Sequence, residues 1–85
     1  MKTTAGSLES SDCLITISSS HNLKITIESV VFEQFGDQIK EVIINTLKEN
    51  NIENINVVCL DKGALDYTIK SRLETAIKRM GEKNE

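Results

Sequence analysis

The chain predicts an α+β fold of ββαβα order, a two-layer sandwich with both helices on one face of a three-stranded sheet. Three observations carry this reading. Two segments near the N-terminus alternate apolar and polar residues. Two later segments repeat apolar residues every three or four positions. A β-branched run lies between those two.

The first alternating segment begins at Asp12. Cys13, Ile15 and Ile17 share one side; Asp12, Thr16 and Ser18 share the other, with Leu14 interrupting the polar side. Ser18 to Asn22 form a polar turn cluster. Leu23, Ile25 and Ile27 then alternate with Lys24, Thr26 and Glu28, so the two strands are expected to pair as a hairpin. The period changes at Val31. Val31, Phe35, Ile39, Val42, Ile43, Thr46 and Leu47 make one stripe, predicting a helix from Val31 to Glu49 with Phe35 in the core. Ser29 suits its N-cap, and Asn50-Asn51 its end.

Ile55 to Leu60 read as the third strand. Val57 and Val58 are both apolar, which suits a strand covered on both sides or packed near the edge of the core. Leu65, Ile69, Leu73, Ala76, Ile77 and Met80 then mark a second helix that begins at Asp61 or Gly63 and stops at Gly81. The expected strand order is 2-1-3, with the third strand antiparallel beside the first and a right-handed crossover through the first helix. Residues 1–10 read as a flexible N-terminal arm, residues 11–81 as the single domain, and residues 82–85 as a frayed tail.

Eighty-five residues form one small domain, with too little core to enclose a deep, water-excluding pocket. A self-sufficient enzyme is disfavoured. The net charge of −3, with scattered cations, argues against nucleic acid as a partner. So does an aromatic set of only Phe32, Phe35 and Tyr67, too few for a base-stacking platform. No run of 18 apolar residues and no signal-peptide core appear, so a cytoplasmic protein without membrane contact is expected. Cys13 and Cys59 are then expected as reduced core residues. With a single His21 they cannot supply a zinc site, so no metal is expected.

Two strings carry the chemistry. Gly6-Ser7-Leu8-Glu9-Ser10-Ser11-Asp12 offers small hydroxyls between acids, with no neighbouring base to activate a nucleophile. Such a serine is suited to being modified, and no catalytic residue is expected. Glu9 and Asp12 lack the cleft that paired-carboxylate catalysis needs. Asp61-Lys62-Gly63-Ala64-Leu65-Asp66 makes a strand-to-helix turn.

These two strings, with Phe35-Gly36-Asp37-Gln38-Ile39 and Ser71-Arg72-Leu73-Glu74, resemble the gamma subunit of citrate lyase, its acyl carrier protein family. The resemblance runs from Ala5-Gly6 into the second helix. Ser7 replaces the family's usual Thr, and Cys13 a common Val. It implies a non-catalytic carrier whose Ser10, directly after Leu8-Glu9, bears phosphoribosyl-dephospho-coenzyme A through a phosphodiester. Glu9 and Asp12 would be the context that a prosthetic-group-loading transferase reads. The implied partners are an alpha subunit that exchanges acetyl for citrate, releasing acetate, and a beta subunit that cleaves the citryl thioester to oxaloacetate. The carrier of malonate decarboxylase or of citramalate lyase, and an unmodified protein-interaction module, are the competing readings.

Overall fold

The computed structural model describes residues 1–83. The elements are β1 (Lys2–Gly6), β2 (Cys13–Ser19), β3 (Lys24–Ser29), α1 (Phe32–Glu49), β4 (Ile55–Asp61) and α2 (Asp66–Lys83). The α+β class and the two helices match the expectation. The sheet has four strands rather than three, in the order β1-β2-β4-β3.

The added strand lies inside the segment expected to be an arm. Lys2–Gly6 pairs antiparallel with β2, Thr3 opposite Ile17 and Ala5 opposite Ile15. Thr3 and Ala5 are buried. The Thr3 hydroxyl donates to the Ala76 carbonyl at 2.7 Å, so an inward polar residue costs little. Arg79 donates to the Thr4 carbonyl and ties the same edge strand to α2.

The expected hairpin between β2 and β3 does not form. β4 lies between them, antiparallel to β2 and parallel to β3. Ser19 faces Ile55 and Lys24 faces Asn56, so residues 20–23 straddle the start of β4. That gap is two strand spacings, roughly 10 Å, which four residues bridge easily. Composition decides the order. β4 offers Val57 and Cys59 to the helices and Val58 and Leu60 to the other face, as suits a central strand. β3 exposes Lys24, Thr26 and Glu28, which protect an edge.

Both helices cover one face. Ile15, Ile17, Val57 and Cys59 of the sheet meet Ile39, Ile43 and Leu47 of α1 and Ile69, Leu73 and Ala76 of α2. The α1 stripe holds from Ile39 onward, but Phe35 is 44% exposed, correcting its core assignment. Val31 takes the N-cap position without a side-chain cap. The C-terminus ends as the asparagines foretell. Asn51 adopts φ 59°, its N–H donates to the Lys48 carbonyl at 3.1 Å, and Ile52 N–H to that of Leu47 at 2.9 Å. This is a Schellman closure.

Helix α2 begins at Asp66 rather than at Asp61, which ends β4, or Gly63, and does not stop at Gly81 but continues to Lys83. The expected frayed tail therefore begins inside a helix, and residues 84 and 85 lie outside the described residues. Cys13 and Cys59 are free thiols in the core. Cys13, burial and the nearby Asp61 carboxylate push the Cys59 thiol up, so it stays protonated.

Candidate functional site

Three loops meet at the end of the sheet where Cys13, Ser29 and Asp61 stand side by side. The first joins β1 to β2. Gly6 turns out of β1 at φ 99°, and a Cβ there would collide with the Cys13 carbonyl, so only glycine fits. Ser7 N–H donates to that carbonyl at 3.1 Å. Asp12 N–H donates to the Glu9 carbonyl at 3.1 Å, closing a turn with Ser10 and Ser11 at its centre. Ser11 takes the left-handed region at φ 65°.

The turn is anchored to the domain on two sides. Ser11 N–H donates to the Lys62 carbonyl at 2.8 Å, and Lys62 N–H to the Asp12 carbonyl at 2.9 Å. The Asp12 carboxylate accepts Arg72 Nε at 3.0 Å and Nη2 at 3.1 Å, a two-pronged pairing from the middle of α2. It also accepts the Ser7 hydroxyl and the Cys13 N–H, both at 2.7 Å. The Arg72 hydrogen bond, then that of Ser7, holds the Asp12 carboxyl down to about 2 from an ordinary 3.8. Asp12 is thus an ionised brace at neutral pH.

Ser10 stands exposed at the apex, flanked by exposed Glu9 and Ser11. Among the described residues no hydrogen bond engages its hydroxyl. The sequence-predicted residues therefore share one turn but divide the work. Glu9 and Ser10 face outward, whereas Asp12 turns inward. Arg72 stands out in the sequence only as part of the Ser71–Glu74 string, and nothing there signals that it reaches Asp12 sixty residues away.

The second and third loops build a groove beside the turn. Asp61, 2% exposed, accepts the Ser29 hydroxyl at 2.7 Å and Ala64 N–H at 2.9 Å. Its carboxylate thereby fixes both the entry to α1 and the Lys62–Leu65 loop. Gly63 follows at φ 93°. Between the starts of α1 and α2 lies a cavity of about 600 Å³, walled by Phe35, Gln38, Ala64, Leu65 and Tyr67 with Asp61 at its base. Gln38 donates to both oxygens of Asp66 across its rim, at 2.9 and 3.0 Å. Among the described residues no three His, Cys, Asp or Glu side chains gather to hold a metal, and no helix is long and apolar enough to cross a membrane.

The chain is similar over most of its length to citrate lyase acyl carrier proteins. It is 51% identical to that of Lactiplantibacillus plantarum, covering 93% of this chain and 85% of the relative. It is 46% identical to that of Fusobacterium nucleatum, covering 95% and 88%. It belongs to the citrate lyase acyl carrier protein family. The family model described as Malonate decarboxylase delta subunit (MdcD) also matches residues 1–80. A chain of a Pseudomonas malonate decarboxylase hetero-tetramer, crystallised with malonate, superposes with a TM-score of 0.81, covering 93% of this chain and 82% of that one. At 15% identity that likeness speaks for the fold alone. Identities of 46% and 51% place the chain with the citrate lyase carriers rather than those of malonate decarboxylase.

Proposed function

We propose that this chain is the acyl carrier subunit of citrate lyase, and that Ser10 bears phosphoribosyl-dephospho-coenzyme A through a phosphodiester. The observation that carries the attachment site is the Ser10 turn: an exposed, unengaged hydroxyl held out by a braced loop. A loading enzyme needs such a hydroxyl accessible from outside. When attached, the group supplies a thiol that carries acyl groups as thioesters.

The residues of this chain hold and present. Asp12, paired with Arg72, keeps the turn from folding back. Ser11 N–H on the Lys62 carbonyl sets the apex against the β4 end. Glu9 stays free to be read by the loading transferase, together with the shape that Asp12 imposes. A tethered thiol raises the local concentration of acyl group at the acyltransferase and lyase subunits alike. The turn is anchored, so reach between those two sites comes from the long prosthetic arm and not from a loose N-terminus.

Co-expression with the loading enzymes followed by peptide mass spectrometry tests this. The expected adduct is one phosphoribosyl-dephospho-coenzyme A on Ser10, lost in Ser10→Ala and retained in Ser11→Ala. An adduct on Ser11 overturns the site, and a lighter phosphopantetheine adduct overturns the group.

A further inference from the structure

The groove beside the Ser10 turn gathers unusual side chains. The chain has two Phe, one Tyr and no Trp. All three rings lie at the starts of the two helices, and Phe35 and Tyr67 line the groove while 44% and 72% exposed. A volume of about 600 Å³ suits a small-molecule fragment. A Cβ on Gly63 would meet nothing within 4 Å, so the rim is open.

The groove is also close to the attachment point. Ser11 N–H binds the Lys62 carbonyl at 2.8 Å. Standard bond lengths then bring the Ser10 and Gly63 Cα atoms within about 8 Å of each other.

We propose that this groove holds the adenine base of the tethered group, stacked against Phe35 and Tyr67, while the thiol end stays free. The inference rests on the prosthetic group given above. That group begins at the serine with a phosphoribosyl unit and continues through adenosine and a diphosphate to the thiol. One phosphate and two sugars therefore separate the Ser10 oxygen from the base, a reach matched to a groove so near. The lining chooses the base over the phosphates. It holds Asp61 and Asp66 and no Lys or Arg, which repels anions. The Asp66 carboxylate and the Gln38 amide oxygen can accept hydrogen bonds from the exocyclic amine of adenine. Parking the base shortens the swinging part of the arm and aims it outward from one fixed point.

Tyr67 is the only tyrosine and there is no tryptophan, so intrinsic emission reports on this groove alone. Loaded and unloaded full-length chains are compared, with loading scored by intact mass. Tethering offers the base at an effective concentration on the order of millimolar. A site of millimolar affinity then dims Tyr67 by about half on loading and shifts the amide resonances of Phe35, Gly63 and Ala64. Free AMP added to unloaded chain should shift the same resonances, and pantetheine should not. Phe35→Leu should load normally yet bind AMP about tenfold more weakly. A fully loaded chain whose Tyr67 emission and amide shifts equal those of the unloaded chain overturns the groove while leaving attachment intact. Shifts with pantetheine instead of AMP overturn the choice of base. A chain that never loads overturns the functional reading, and the tethered occupant with it.

Discussion

The two ends of the sheet differ in how their loops are held and in how many apolar side chains they leave exposed. At the end holding Ser19 and Ile55, the chain closes in the ordinary manner. Leu47 and Ile55 are buried, the reversal after α1 is satisfied by backbone bonds, and only Met1 and Leu23 among the large apolar residues there stay exposed. At the end holding Asp61, two carboxylates turn inward, while Leu8, Val30, Phe32, Phe35, Leu65 and Tyr67 remain exposed. The loop N–H groups at this end need acceptors, and Asp12 and Asp61 supply them. Because polar bonds hold the loops, their apolar side chains are left over for contacts outside the domain. One end is built for cohesion, the other for presentation.

The sharpest way to break this contrast is to truncate one apolar residue from each region. Leu73→Ala, at a fully buried position, should cost about 2–5 kcal/mol. Phe35→Ala should stay within about 1 kcal/mol, despite the larger side chain removed. Chemical denaturation of both variants decides it, and equal losses would mean that the presenting end is core after all.

A second pair uses the two glycines that flank the site. Gly6→Ala meets the Cys13 carbonyl in addition to its strained φ and should cost about 3 kcal/mol or more. Gly63→Ala has the same sign of φ but open space around it, so only the backbone penalty of about 1–2 kcal/mol applies. Thermal melts of the two variants rank them.

Acid offers a subtler probe. The Asp12 carboxyl is held at about 2 in the folded chain against an ordinary 3.8. A depressed folded value means that its contribution is present above pH 3.8 and is lost as pH falls towards 2. The wild-type melting midpoint should therefore decline through that window more steeply than that of Asp12→Asn. The smallest effect belongs to Ser10→Ala, within about 0.5 kcal/mol, because the exposed hydroxyl supports nothing in the fold. A large loss of stability would show that Ser10 is part of the brace.

Much of this was legible in the residues. The alternations at Cys13–Ile17 and Leu23–Ile27 and the stripe from Ile39 to Leu47 mark real elements because burial selects them directly. Strand β1 was not legible. Only Thr3 and Ala5 turn inward, too small to print a pattern on a five-residue strand. The hairpin error has a physical source as well. A four-residue link serves neighbouring strands and strands one apart equally well, and only the two-faced apolar character of β4 separates the cases. Phe35 misled because it continues the stripe in register, although in the first turn of α1 that stripe faces the open groove and not the packed core. The string around Ser10 showed where a modification belongs but not its support, since Arg72 and Lys62 arrive from distant parts of the chain.

The central place of β4 has a consequence for how the chain acquires its shape. β2 can pair with β1 as soon as both are made, yet β3 has no native neighbour, and β2 lacks its second, until residues 55–61 arrive between them. A local pairing of β2 with β3 would occupy the edges that β4 takes in the native sheet. α2, which covers β1 and β2, comes later still. Folding is therefore held back until almost the whole chain exists, and the rate is governed by long-range closure rather than by local turns. A fragment ending before Ile55 should keep at most the β1–β2 pair, leaving β3 and the second edge of β2 open to partners in other chains.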